Sequence, residues 1–218
     1  MTSYILDVTS VNPLSKNKPQ QAIVLCHGYG GDGKDISILA MNWQRFLPDA
    51  IFLCPNAPEV CAINPQGYQW FDLTSEDEEV ILNKSLAAEK KLNIFLDQIL
   101  ENFQLESNNL AIVGFSQGTM IGIQTAIKKK EKINCLIGYS GKIINKKHLS
   151  ENINSTPKIF LMHGENDTIV SPTHLLEAKD YLKKQKIDVK TKIFKNCEHK
   201  IPIEGSSLGL GFLKKNLL

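Results

Sequence analysis

Gly114-Phe115-Ser116-Gln117-Gly118 places a serine between two glycines, each two positions away, inside "AIVGFSQGTM". A serine hydroxyl is a poor nucleophile until a base takes its proton, so this spacing has meaning only if the chain presents Ser116 sharply and supplies that base. An apolar run precedes the motif and a helical pattern follows it. A serine at so tight a strand-to-helix turn has a strained backbone, and glycines on either side let the crossing chain pass. The new helix also offers free N–H groups and positive potential to an oxyanion forming beside the serine. The chemistry is that of acyl transfer.

The base must be one of five histidines. His27 lies upstream in a glycine loop, and His163 ends an apolar run. His148 and His174 sit in polar or helical surroundings. His199, in "FKNCEHKIP", follows the carboxyl end of the last strand pattern. Hydrolases with this elbow run serine, acid, histidine along the chain, and only His199 leaves a good acid between. Asp180 falls within a helix pattern and Asp188 opens a strand at the wrong end. Asp167, in "IFLMHGENDTIVSP", follows a strand at the right end, with Glu165 in reserve.

A second glycine-rich stretch, "LCHGYGGDGKD", comes close to the phosphate-binding loop G-x-x-x-x-G-K-[ST]. Asp35 stands where that loop needs a hydroxyl for magnesium, and Asp32 adds negative charge where a triphosphate would sit. No strand ending in aspartate holds the metal, since Phe95-Leu96-Asp97 lies inside an amphipathic helix pattern. Lys34 is therefore expected on the surface of the next helix. The anion served by these glycines is better read as a tetrahedral intermediate than as a phosphate.

The elements that must position these residues alternate. Apolar runs at 22–26, 50–54, 110–115, 135–139 and 158–163, with a more alternating 188–194, read as strands, mostly buried on both faces. Ile81, Ser85, Ala88, Leu92, Phe95, Ile99 and Phe103 mark one face of a long helix. The stretch 116–129 reads as a buried helix, and 172–184 and 205–217 as two more. This order predicts one α/β domain over residues 1–218, a mostly parallel sheet with helices on both faces. Ligands in such sheets bind beyond the carboxyl ends of the strands. Residues 55–77 interrupt the alternation with prolines and with Tyr68, Trp70 and Phe71, and read as a long substrate-covering loop.

Composition narrows the function classes. A net charge of +2 from 25 basic and 23 acidic residues gives no polyanion preference. The one basic run, Lys128 to Lys130 with Lys132, reads as a solvated helix end, without the aromatics of a nucleic-acid face. Five cysteines cannot all pair, and Cys54 and Cys61 lack zinc-ligand spacing, so reduced thiols and no metal are expected. The start "MTSYILDVTS" does not read as a signal peptide, and no apolar run approaches membrane-spanning length. A cytoplasmic location is expected.

With these residues in place the chain resembles the phospholipase/carboxylesterase family of α/β-hydrolases, which includes acyl-protein thioesterases and small bacterial carboxylesterases. The likeness runs from about Ala22 onward through "HGYGGDG", "CPNAP", "WFDL", "GFSQG", "HGENDTIV" and a final histidine followed by lysine and isoleucine. The resemblance implies the α/β-hydrolase fold, a triad of Ser116, Asp167 and His199, and an oxyanion hole from the main chain of Tyr29 and Gln117. It implies no cofactor, a small-molecule ester or an acylated substrate, no nucleic-acid partner and no stable membrane insertion. A homodimer is left open. Alternatives are a catalytically silent binding protein or a peptidase on the same fold. Val60, Ile63 and Trp70 in the 55–77 loop are expected to line the acyl site, unless Trp70 and Phe71 instead anchor the loop. Thr119 and Glu198 stand where the family usually has glycine, so altered elbow packing and an altered histidine loop are expected.

Overall fold

The structure, a computed structural model, describes residues 4–75 and 77–218; residue 76 of the 55–77 loop and the first three residues of the chain lie outside the described residues. Along the chain come β1 (Val8–Val11), β2 (Gln21–Cys26), α1 (Gly33–Trp43), β3 (Ala50–Pro55), β4 (Glu59–Val60), β5 (Tyr68–Gln69) and α2 (Glu78–Phe103). Then follow β6 (Leu110–Phe115), α3 (Gln117–Lys128), β7 (Cys135–Tyr139), α4 (Lys146–Glu151), β8 (Lys158–Gly164), α5 (Thr173–Lys184), β9 (Val189–Phe194) and α6 (Ile203–Leu217). Seven strands form one sheet in the order β1-β3-β2-β6-β7-β8-β9, parallel except for β1.

Strand alternation assigns the core to two layers. Ala22, Val24 and Cys26 of β2 face a cluster built with Leu92 and Phe95 of α2, Ile121 of α3 and Leu182 of α5. Ile23 and Leu25 face the opposite cluster, with Leu39 and Trp43 of α1 and Leu213 of α6. Successive side chains leave a strand on opposite faces, so a strand covered on both must be apolar throughout. All six residues of β2 are buried, as are all six of β3.

Register brings the site loops together. Cys26 pairs with Gly114, so the loop after β2 begins beside the elbow. Gly164 pairs with Phe194, so the loops carrying Asp167 and His199 leave the sheet as neighbours.

Four local features differ from the sequence expectation. The antiparallel edge strand β1 is one, because four exposed or half-exposed residues carry too little pattern to stand out. The six-residue α4 is another, too short for a helical period to show. Inside the 55–77 loop, β4 and β5 pair antiparallel over only two residues each. The basic run is only partly a solvated helix end, because Lys130 and Lys132 are exposed but Lys128 and Lys129 are tied back to α2. Lys128 reaches back to Glu89 of α2 at 2.8 Å and Lys129 pairs with Asp97, both amines largely buried. Gln124 also donates to Glu89, at 2.7 Å, so α3 and α2 are joined by a polar seam.

Candidate active site

Ser116 sits between β6 and α3 with φ 52° and ψ −116°, a conformation a residue with a side chain holds only under constraint. Its N–H donates to the Tyr139 carbonyl at 2.8 Å, and its carbonyl accepts from Thr119 and Met120. The flanking glycines are required by contact. A Cβ on Gly114 would lie 2.4 Å from the Thr119 nitrogen, and one on Gly118 would lie 2.1 Å from the Cys26 carbonyl oxygen. Gly118 is where α3 crosses the end of β2.

Thr119 is accommodated by its neighbours. Its hydroxyl donates to the Tyr139 carbonyl at 2.8 Å and accepts from the Tyr139 N–H at 3.0 Å. Its methyl group fills space kept open by Gly138 and Gly141, where a Cβ would lie 2.4 and 2.5 Å from it. The missing glycine of the elbow helix is offset by two glycines facing it.

The Gly28–Tyr29 peptide is oriented by His27. The Ala57 N–H donates to His27 Nε2 at 3.0 Å, so Nε2 carries no proton and the ring is neutral with its hydrogen on Nδ1. Nδ1 then donates to the Gly28 carbonyl at 2.7 Å, which also accepts from Gly31 N–H at 3.1 Å. In a planar trans peptide the N–H points opposite to the C=O, so the Tyr29 N–H is turned away from His27. A Cβ on Gly28 would lie 3.3 Å from Ser116 Cβ, which puts this peptide against the serine. Among the described residues, neither the Tyr29 nor the Gln117 N–H donates to a protein acceptor. Sequence reading passed over His27 because its partners come from the fold.

Asp167 and His199 meet at their loops. Asp167 Oδ2 accepts from His199 Nδ1 at 2.8 Å, while Oδ1 accepts from the N–H groups of Ile169 (3.0 Å) and Val170 (2.9 Å). Burial alone would raise this carboxyl, but the bonds from Val170, His199 and Ile169 outweigh it and hold it below its usual range. His199 packs its ring on Phe115, centroids 4.9 Å apart, next to Ser116. The reserve acid, Glu165, accepts instead from the Asn196 N–H at 3.4 Å. Glu198 keeps an ordinary negative φ, and Asn196 takes the left-handed conformation of this loop (φ 53°). Glycine is therefore not needed before the histidine.

His163, the strand-end histidine, is a second partner of the acid. Its Nε2 lies 2.8 Å from the Val170 carbonyl and 3.2 Å from Asp167 Oδ2, while its buried Nδ1 has no partner. Desolvation lowers the pKa of both His163 and His27 below the ordinary 6.5. An unfolded chain takes up protons first as pH falls below 6.5, so the stability from these neutral imidazoles is present above that pH and is lost below it. Thermal melts from about pH 7 to about pH 5 should show a falling Tm, with a shallower slope in His163→Phe. Parallel slopes would mean that His163 does not resist protonation.

Trp70 does not line the site. It is fully buried, its N–H donates to Gln117 Oε1 at 2.8 Å, and its indole donates to the His27 carbonyl at 3.0 Å. Gln117 Nε2 returns a bond to the Phe71 carbonyl at 2.5 Å. Gly30 N–H donates to the Tyr68 carbonyl at 2.9 Å, and Tyr68 N–H donates to the Gly31 carbonyl at 2.8 Å. The 55–77 loop thus braces both the glycine loop and the start of α3. A tryptophan with two polar anchors and no exposed surface offers nothing to a ligand. Val60 and Ile63, 60% and 77% exposed, project from the outer part of the loop.

A cavity of about 380 Å³ opens beside His199, bordered by Gly28, Tyr29, Phe115 and Ile201. Lys34 is exposed, and Gly33 is explained by packing, since a Cβ there would lie 2.1 Å from the Cys54 carbonyl oxygen. All five cysteines are buried and free, and burial pushes the Cys54 and Cys135 thiols up to about 12. Among the described residues no cluster of three potential metal ligands occurs, and no helix is long and apolar enough to cross a membrane.

The phospholipase/carboxylesterase family model matches residues 10–217. An acyl-protein thioesterase 1 of Kluyveromyces lactis is 26% identical, over 97% of this chain and 99% of its own. Esterase YpfH of Escherichia coli is 24% identical, over 92% of this chain and 85% of its own. The crystal structure of esterase PE8 superposes with a TM-score of 0.93 at 32% identity, covering 97% of this chain and 99% of that one. The sheet, the elbow and these likenesses define an enzyme of the carboxylesterase class on the α/β-hydrolase fold. The chain belongs to the phospholipase/carboxylesterase family.

Proposed function

We propose that this enzyme hydrolyses carboxylic esters or thioesters through an acyl-enzyme on Ser116. Ser116 attacks the carbonyl while His199 Nε2 takes its proton, and Asp167 holds the imidazole through Nδ1. The N–H groups of Tyr29 and Gln117 receive the oxyanion. His199 then protonates the departing alcohol or thiol, and water cleaves the acyl-enzyme by the same steps. The observation that carries this reading is the strained Ser116, beside two N–H groups without a protein acceptor among the described residues, next to Phe115, on whose ring packs an imidazole held 2.8 Å from a buried carboxylate. That apparatus also weighs against a silent binding protein. The names of the relatives suggest acylated proteins and simple esters as substrates. The test is a fluorophosphonate probe, expected to add once, on the peptide carrying Ser116; absence of labelling on folded protein would overturn the reading.

The acyl chain is proposed to lie toward the 55–77 loop, where exposed Val60 and Ile63 can cover its outer methylenes. Each fully buried methylene contributes about 0.8 kcal/mol, which is several-fold in kcat/KM. In a p-nitrophenyl ester series, Ile63→Ala and Val60→Ala should flatten the preference for long chains and leave acetate turnover nearly unchanged. An equal loss for short and long esters would assign these residues to the fold.

A further inference from the structure

A groove of about 770 Å³ runs between α1 and α6, on the sheet face opposite the cluster that holds Trp70 and Phe71 of the 55–77 loop. Asp35, Ile36 and Ile201 border both this groove and the cavity beside His199, so the two adjoin. Its floor is apolar, with Leu39 and Trp43 from α1 and Leu210 from α6, and Trp43 Nε1 donates to Ser206 Oγ at 3.0 Å across the two helices. Ile203 and Ile38 stand on its walls, 89% and 58% exposed.

At the far end lie Arg45 and Lys214, both over the Phe46 ring, 4.6 and 5.9 Å from its centroid. Among the described residues neither makes an ion pair. From Asp35 at the near end to Arg45 is ten residues, roughly 15 Å at the helical rise. An apolar groove that adjoins the histidine cavity at one end and reaches two cations without ion pairs at the other suits an amphipathic anion.

We propose that this groove binds the leaving-group half of the substrate, an alcohol or thiol with an apolar stem and an anionic terminus seated on Arg45 and Lys214. This inference rests on the hydrolase reading above. The groove meets the site at Ile201, two residues after His199, whose imidazole would protonate the departing group. The acyl chain is left the opposite side, toward the 55–77 loop. The overall step is hydrolytic: water supplies hydroxyl to the acyl carbon and, through His199, a proton to the departing oxygen or sulfur. No further reactant is needed.

The experiment compares three acetate esters: ethyl acetate, O-acetyl ω-hydroxydodecanoate, and the primary carboxamide of the latter. The long anionic ester should have a KM at least about tenfold below that of its neutral amide, and the advantage should shrink as salt rises. Arg45→Glu with Lys214→Glu should remove the advantage and leave ethyl acetate turnover unchanged. Gly211 borders the groove with nothing within 4 Å of its Cβ position, so Gly211→Trp is expected to fold and to raise KM for both long esters. Equal KM values for the two long esters in the wild type would overturn the proposal. So would a preference for ω-carboxylated acyl chains abolished by Arg45→Glu, which would put the acyl chain in the groove. Sedimentation showing a dimer that Gly211→Trp disperses would assign the groove to a second copy and also overturn it. If the ethyl acetate and fluorophosphonate reactions both fail, the hydrolase reading itself has failed; if they succeed without discrimination, only the groove assignment falls.

Discussion

Ser116→Ala is expected to abolish both fluorophosphonate labelling and burst formation of an acyl-enzyme, with ester turnover reduced by roughly 10³-fold or more. Asp167→Asn should cost a comparable factor for a different reason. The carboxylate Oδ1 accepts from the Ile169 and Val170 N–H groups, and Oδ2 from His199 Nδ1. An amide has one acceptor oxygen, so whichever way it turns, an NH₂ group faces a donor. If the oxygen stays on the loop N–H groups, the NH₂ faces His199 and favours the wrong tautomer, with Nε2 protonated and unable to accept from Ser116. His199→Ala removes the proposed base outright. The residues act as a unit, so any double variant should be little worse than the worst single one. Stopped-flow and steady-state kinetics on a p-nitrophenyl ester read all of this. A Ser116→Ala protein with near wild-type turnover would show that the nucleophile is elsewhere.

Gly118→Ala should be the most damaging small substitution outside the proposed triad. The added Cβ would sit 2.1 Å from the Cys26 carbonyl oxygen, 2.5 Å from its carbon and 2.6 Å from the His27 carbonyl oxygen. These are backbone atoms at the end of a central strand, so no side chain can rotate aside. Relief requires α3 to lift from β2, at about 3 kcal/mol or more, which is a fall of about 6–12 °C in Tm for a chain of this size. The same displacement would separate the Tyr29 and Gln117 N–H groups, so kcat should fall even below the melting range. Gly211→Ala is the matched control. It lies in α6 with nothing within 4 Å, and replacing a helical glycine by alanine there should be neutral or stabilising by up to about 1 kcal/mol. A Gly118→Ala protein that melts with the wild type would mean the crossing is looser than this geometry.

Some of this was written in local sequence. Five of the strands declared themselves because a strand covered on both faces must be apolar at nearly every position, as in 22–26 and 110–115. The elbow was legible because the strained turn demands Gly114 and Gly118 at fixed offsets from Ser116. The serine-acid-histidine chain order left His199 of five histidines, and the rule that ligands lie at the carboxyl ends of parallel strands favoured Asp167 among the acids; their side chains are now seen 2.8 Å apart. Lys34 was correctly read as a surface residue, since the phosphate loop lacked its hydroxyl and its metal-binding strand.

What local sequence could not decide were contacts between segments far apart in the chain. Trp70 was open between pocket wall and loop anchor because an aromatic in an irregular loop carries no sign of which way it faces; its bonds to Gln117 and His27 make it an anchor beneath the site. Thr119 looked like a departure until Gly138 and Gly141, about twenty residues on, proved to leave room for it. His163 became a partner of the acid only through the turn at Val170. Lys128 and Lys129 looked solvated because their acids lie on α2, more than thirty residues earlier. Periodicity and turn chemistry act over a few residues and can be read from one segment, whereas burial and pairing depend on what the fold brings against it. The fold class and the elbow were therefore fixed locally, and the bracing of the glycine loop and the α1–α6 groove arose only when the chain closed on itself.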